Sequence, residues 1–134
     1  KETGRDGLMT DLHEDGLSGI SGLKTVGVLQ RLGHLFADDT SACYLEIGVF
    51  QGLTLVSTAL EAPDMPCFGI DNFATLDPEG ENQTIVCERL DCFGATNAAL
   101  IDADIDSQAI TKRLLLTVHH IPTFKHVWLL TSWL

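Results

Sequence analysis

The stretch that most constrains the fold is residues 42–73, ACYLEIGVFQGLTLVSTALEAPDMPCFGIDNF. Cys43 to Ile47 is a short apolar run with Glu46 near its end, and Gly48 and Gly52 bracket the turn Val49-Phe50-Gln51. From Leu53 to Ala62 the composition is helical, with Leu53, Val56 and Leu60 on one face. Pro63 and Pro66 end that helix and restart the chain extended. A second apolar run, Cys67 to Ile70, closes in Asp71. Strand, glycine turn, helix and strand in this order predict a parallel α/β unit, which binds ligands beyond the carboxyl ends of its strands. Glycines let backbone approach a ligand closely, and the free amides opening the next helix favour a polar or anionic group. Asp71 lies 23 residues after Gly48, a spacing that suits a strand-tip acceptor for ribose hydroxyls.

The glycine spacing separates ligand classes. A dinucleotide fingerprint is G-x-G-x-x-G, whereas here Phe50 holds the middle glycine position. This counts against a nicotinamide- or flavin-binding (NAD/FAD) oxidoreductase, which remains an alternative. Glu46-Ile-Gly48-x-x-x-Gly52-x-Thr54 instead resembles motif I of class I S-adenosylmethionine-dependent methyltransferases. EIGVFQGLT followed by FGIDNF is most similar to their small-molecule O-methyltransferase-like branch, and the resemblance spans about residues 24–108.

The resemblance implies a Rossmann-like, doubly wound parallel sheet with helices on both faces. It also implies S-adenosyl-L-methionine as cofactor and a small-molecule hydroxyl as methyl acceptor. It places Glu46 against the cofactor's methionine amine, directly or through water, in preference to the other reading of a solvated strand-end acid. Asn72 and Phe73 would lie beside the adenine, although Phe73 also reads as a core residue. In LIDAD, Asp104 is the expected reader of the adenine amino group and Asp102 the second candidate, against a plain solvated strand end. Gly48, Asp71 and Asp104 would then converge on one crevice. The set implied for cofactor binding is Glu46, Gly48, Gly52, Thr54, Asp71, Asn72, Phe73 and Asp104, with no metal and no assignable catalytic residue.

Outside this unit the sequence supports an organisation in three parts. Residues 1–22 read as a polar, flexible N-terminal tail. Residues 23–106 read as the cofactor-binding half of a methyltransferase domain, and 107–134 as an atypical C-terminal segment. Ser21 is a candidate cap for a helix running to about Phe36, with an apolar face of Val28, Leu29, Leu32, Leu35 and Phe36. His34 on this helix reads as a surface or packing residue. Asp77 to Asn82 reads as a loop, Gln83 to Phe93 as a helix with Ile85, Val86 and Leu90 inward, and Ala98 to Ile101 as a third strand. Past Asp106 there is no acid, while His119, His120, His126, Trp128 and Trp133 all fall there. Neighbours such as His119 and His120 diverge on a helix or strand and seldom share a ligand. The branch's fourth-strand I-D-G-x-H-like motif is missing, and only Val127 to Leu134 offers one more strand. The expectation is a sheet left incomplete after its third strand, in a truncated or frame-shifted product.

Composition narrows the partners. A net charge of −11 with eight Lys and Arg argues against nucleic acid, whose phosphates are held by cations. No apolar run is long enough to span a membrane, and the first residues have no apolar signal core. Cys43, Cys67, Cys87 and Cys92 form no C-x-x-C pair and read as reduced and structural, which suits a cytoplasmic protein. The alternatives to an enzyme are an inactive remnant of the fold or an interaction module, self-associating through an exposed sheet edge.

Overall fold

The computed structural model describes residues 16–104 and 126–131, the latter as backbone. In chain order these form α1 (Leu23–Phe36), β1 (Ala42–Ile47), α2 (Leu53–Glu61), β2 (Cys67–Asp71), α3 (Asn82–Cys92), β3 (Ala98–Asp102) and β4 (His126–Thr131). The strands make one parallel sheet in the order β3-β2-β1-β4. An α/β architecture is therefore established. The chain steps from β1 outward through β2 to β3 and returns to pair β4 on the other side of β1. That reversal creates the kind of crevice where open parallel sheets take ligands, at the carboxyl end of β1.

Strand periodicity sorts side chains between the two faces of the sheet. Ala42 and Tyr44 of β1 and Cys67 of β2 are buried in one core with Val26 and Leu29 of α1, Leu53, Leu55, Val56 and Ala59 of α2, and Val86 of α3. The three described helices thus share one face. Cys43 and Ile70, of opposite parity, are buried outside this cluster. A completely buried leucine such as Leu55 contributes about 2–3 kcal/mol of transfer free energy. Burial pushes the Cys43 and Cys67 thiols up to about 11 and about 12, so both remain protonated. Cys87 and Cys92 are free and exposed, which removes them from any core role.

Helix α1 corrects the sequence reading in two respects. Its N-cap is Gly22, with no side-chain cap, in place of Ser21. Its buried side is Val26, Gly27, Leu29, Gln30 and Gly33, whereas Leu35 is 70% exposed and Val28 also faces solvent. The physical reason is close helix approach. Gly33 lies over α2, where an added Cβ would sit 3.4 Å from the Thr58 methyl group, and larger residues would hold the helices apart. The same helix buries Gln30, whose amide nitrogen and oxygen both lack a partner. An orphaned buried amide carries its full desolvation cost. Replacing Gln30 by Met is therefore expected to raise the urea midpoint, by about 1 kcal/mol of stability. An equal loss would show that the amide is satisfied in solution.

Two loop residues not singled out by the sequence hold the layers. The Asn97 amide donates to the carbonyls of Ala59, Ala62 and Met65 at 3.2, 2.9 and 2.8 Å, tying the end of α2 to the start of β2. The Asp77 carboxylate accepts from the Glu81 and Asn82 amides at 2.9 and 3.2 Å and so caps α3. No helix among the described residues is long and apolar enough to cross a membrane.

Candidate functional site

Beyond the carboxyl end of β1 lies a shallow cleft that opens to solvent, with an enclosed volume of about 20 Å³, room for about one water molecule. It is walled by Glu46, by Gly48, Val49 and Phe50 of the turn, by Leu53 and Thr54 of α2, and by Gly19, Ile20 and Ser21. The turn needs its glycines: Gly48 and Gly52 have φ of 83° and 81°. Helix α2 then begins with no side-chain cap, leaving its first amides facing the turn. Gly19, Ile20 and Ser21, read from sequence as part of a polar tail, supply the far wall, and the nearby Leu17 is completely buried.

Asp71 organises the turn from the neighbouring strand. Its Oδ2 accepts the amides of Val49 at 2.7 Å and Phe50 at 3.0 Å, and its Oδ1 accepts the amide of Phe73 at 2.8 Å. Phe50 and Phe73 both have φ of 53°, a left-handed conformation unusual for a bulky residue. Such strain persists only where neighbours over-determine it, and it concentrates at binding sites. The carboxylate supplies that over-determination. A carboxylate offers about four acceptor positions, so three backbone bonds leave room for about one further donor. Asp71 in this arrangement can take one ligand hydroxyl; accepting two requires releasing part of the turn.

Glu46 sits at the cleft floor, 1% exposed. Its two oxygens accept hydroxyl bonds from Thr54 at 2.5 Å and Tyr44 at 2.8 Å. A solvated strand-end acid is therefore excluded. Burial raises its pKa to about 7, opposed by the Thr54 and Tyr44 hydrogen bonds, with the charge of Asp71 raising it further. The Tyr44 phenol is also pushed well above its usual value, chiefly by burial and then by the Glu46 charge. No cationic side chain among the described residues bonds Glu46, whose partners are the two hydroxyls.

This acid gives stability a definite pH dependence. Its folded pKa lies above the unfolded value, so the folded state holds the proton more tightly. The contribution is complete below about pH 4.5 and is lost as pH rises to about 7. The loss amounts to about 3 kcal/mol by linkage. Glu46→Gln should remove that slope, leaving the variant more stable relative to wild type at pH 8 than at pH 5. Parallel urea titrations at both pH values check this; an unchanged difference would place the pKa near its ordinary value.

The remaining predicted positions are distributed around the rim. Thr54 is buried against Glu46. Asn72 is exposed, with its side-chain oxygen accepting the Ala74 amide at 3.0 Å. Phe73 is half-buried and packs against the core. Asp102 ends β3 in register with Asp71, and Asp104 lies exposed two residues beyond the strand. The structure thus brings Glu46, Gly48 and Thr54 together at one cleft, with Gly52 at the start of α2 and Asp71 behind the turn. Asn72, Phe73, Asp102 and Asp104 follow along the neighbouring strand tips. The His119 and His120 pair lies outside the described residues.

Two contributors escaped the sequence reading. Tyr44 shares a strand face with Glu46 at a spacing of two, a signal that was legible. Arg89 donates to the Gln51 carbonyl at 2.6 Å, and it is the one Lys or Arg between Arg31 and Lys112. Among the described residues no group of His, Cys, Asp and Glu gathers as a metal-ligand set. Neither a family model nor a curated protein matches the chain.

Proposed function

We propose that the cleft binds S-adenosyl-L-methionine and that the fold is the Rossmann-like cofactor half of a small-molecule O-methyltransferase. The observation that carries this reading is a buried carboxyl without a cationic partner, Glu46, beside a glycine turn at the carboxyl end of β1. The residues fit the group. Glu46 offers negative charge to an ammonium, the uncapped start of α2 offers amides to a carboxylate, and the spare acceptor position on Asp71 offers one hydrogen bond to a ribose hydroxyl. The cofactor supplies a sulfonium methyl, which an acceptor oxygen takes as the carbon–sulfur bond breaks and the acceptor's proton is released. The chain's own contribution is binding and orientation, the main source of acceleration for such a displacement.

The test is calorimetric titration of the folded chain with S-adenosylmethionine and S-adenosylhomocysteine, beside Ser21→Trp. Ser21 lines the cleft without supporting the turn, so a tryptophan there blocks the site and leaves the core intact. Saturable binding by wild type and its loss in Ser21→Trp support the reading. Absence of heat from a folded wild type retires it, in favour of a remnant fold serving as an interaction module.

A further inference from the structure

The wall opposite the glycine turn is held in an unusual way. Residues 17–21 belong to no helix or strand and run between the buried side chain of Leu17 and Gly22, where α1 begins. One side chain from a distant helix supplies the hydrogen bonds to this stretch. Arg89 Nη1 donates to the Ser18 carbonyl at 2.7 Å, and Nη2 donates to the Ser18 hydroxyl at 3.2 Å and the Gly16 carbonyl at 3.5 Å. The same Nη1 donates to the Gln51 carbonyl in the glycine turn at 2.6 Å. Burial lowers the Arg89 pKa, yet a guanidinium remains charged. Its donors go to carbonyls and a hydroxyl, joining the segment that carries Gly19, Ile20 and Ser21 to the glycine turn.

We propose that residues 17–21 are a strap closed over the cleft, and that Arg89 is the positioning residue that latches it to the glycine turn and so governs ligand entry and release. The gating half of this proposal rests on the cleft being the ligand site; the latch itself does not. The geometry supports a separable strap. Gly19 lies directly on Leu53, where an added Cβ would come within 2.8 Å of the Leu53 Cβ, so the strap rests on α2 by backbone contact. Ile20 is 54% exposed, so little apolar burial holds the strap between its ends. A segment with few buried contacts and one polar anchor belongs to the low-stability end of a fold. Nη1 alone bridges strap and turn, while Nη2 adds the Ser18 hydroxyl and the Gly16 carbonyl, so a lysine's single nitrogen would keep at most part of the anchor.

Backbone 15N relaxation of the ligand-free chain tests the latch. Arg89→Ala and Arg89→Met should each lower the order parameters of residues 18–21 from the rigid range of about 0.85 to below about 0.6 while β1, β2 and α2 keep theirs. Unchanged order parameters in a folded variant overturn the proposal; the methionine form, which keeps the apolar stem, serves if the alanine form does not fold. Stopped-flow dissociation of S-adenosylmethionine tests the gate, with an expected off-rate increase of about tenfold well below the unfolding temperature. A purely structural Arg89 would lower the melting temperature without moving that rate, and an unchanged rate overturns gating. If wild type fails to bind the cofactor, the cleft reading fails, while the relaxation measurement still decides the latch.

Discussion

Asp71→Ala is expected to destabilise the chain by about 3 kcal/mol, the largest loss from any single polar substitution described. The carboxylate accepts three backbone amides, and hydrogen bonds to a charged acceptor carry about 1.5–3 kcal/mol each before solvent replaces them. Solvent does replace part of them, since Asp71 is only half-buried. Against this, Phe50 and Phe73 lose the acceptor that holds them in left-handed backbone. Asp71→Asn keeps one carbonyl oxygen able to accept two amides and should recover about half of the loss. Urea denaturation of the three proteins decides the matter, and a cost below about 1 kcal/mol for alanine would mean that the turn supports itself. Loss of ligand binding in Asp71→Ala therefore has two causes, a missing acceptor and a collapsed turn.

Gly69→Val should cost about 3 kcal/mol or more, or prevent folding. Gly69 is the centre of β2 on the helical face, and an added Cβ would lie 2.7 Å from Leu55 Cδ2 and 2.8 Å from Val49 Cγ2. Leu55 is completely buried and Val49 nearly so, so neither has space to move into. Overpacking of this kind costs about 1–3 kcal/mol for added methylenes, and valine adds a branched side chain against two filled neighbours. Gly69→Ala gives a graded control at about half the loss. Because Val49 opens the glycine turn, even the alanine variant should weaken ligand affinity more than its thermal shift suggests. A folded Gly69→Val with an unaltered urea midpoint would mean that the α2–β2 interface is looser than described.

The unit from Ala42 to Asp71 was legible because its signals are local. Apolar runs, glycine spacing and prolines fix strand, turn and helix within a few residues of one another. Strand three and the helix before it were legible for the same reason. The face of α1 was not, since apolar residues occur all round it. The deciding residue is Gly33, whose value lies in the proximity of α2. Asn97 and Asp77 read as ordinary loop residues because their partners are backbone groups, which sequence does not distinguish. Arg89 acts 71 residues from Ser18, beyond any local pattern, although its isolation among acids and neutral residues was a usable clue. Glu46 was placed by its motif, but its burial follows from Tyr44 and Thr54 closing over it.

The position of β4 bears on how the chain acquires this arrangement. Residues 42–71 can pair β1 with β2 as soon as one helix has formed, and β3 adds on the outer side. The other edge of β1 pairs with β4, from Ala42 with His126 to Ile47 with Thr131. That closure spans 84 residues and carries a large entropic delay. During that interval the strand carrying Glu46 presents an unpaired row of amides and carbonyls beside apolar side chains, a template for another chain. Yield on refolding should therefore fall steeply with protein concentration, with the vulnerable edge belonging to a strand that ends in the interior of the sheet.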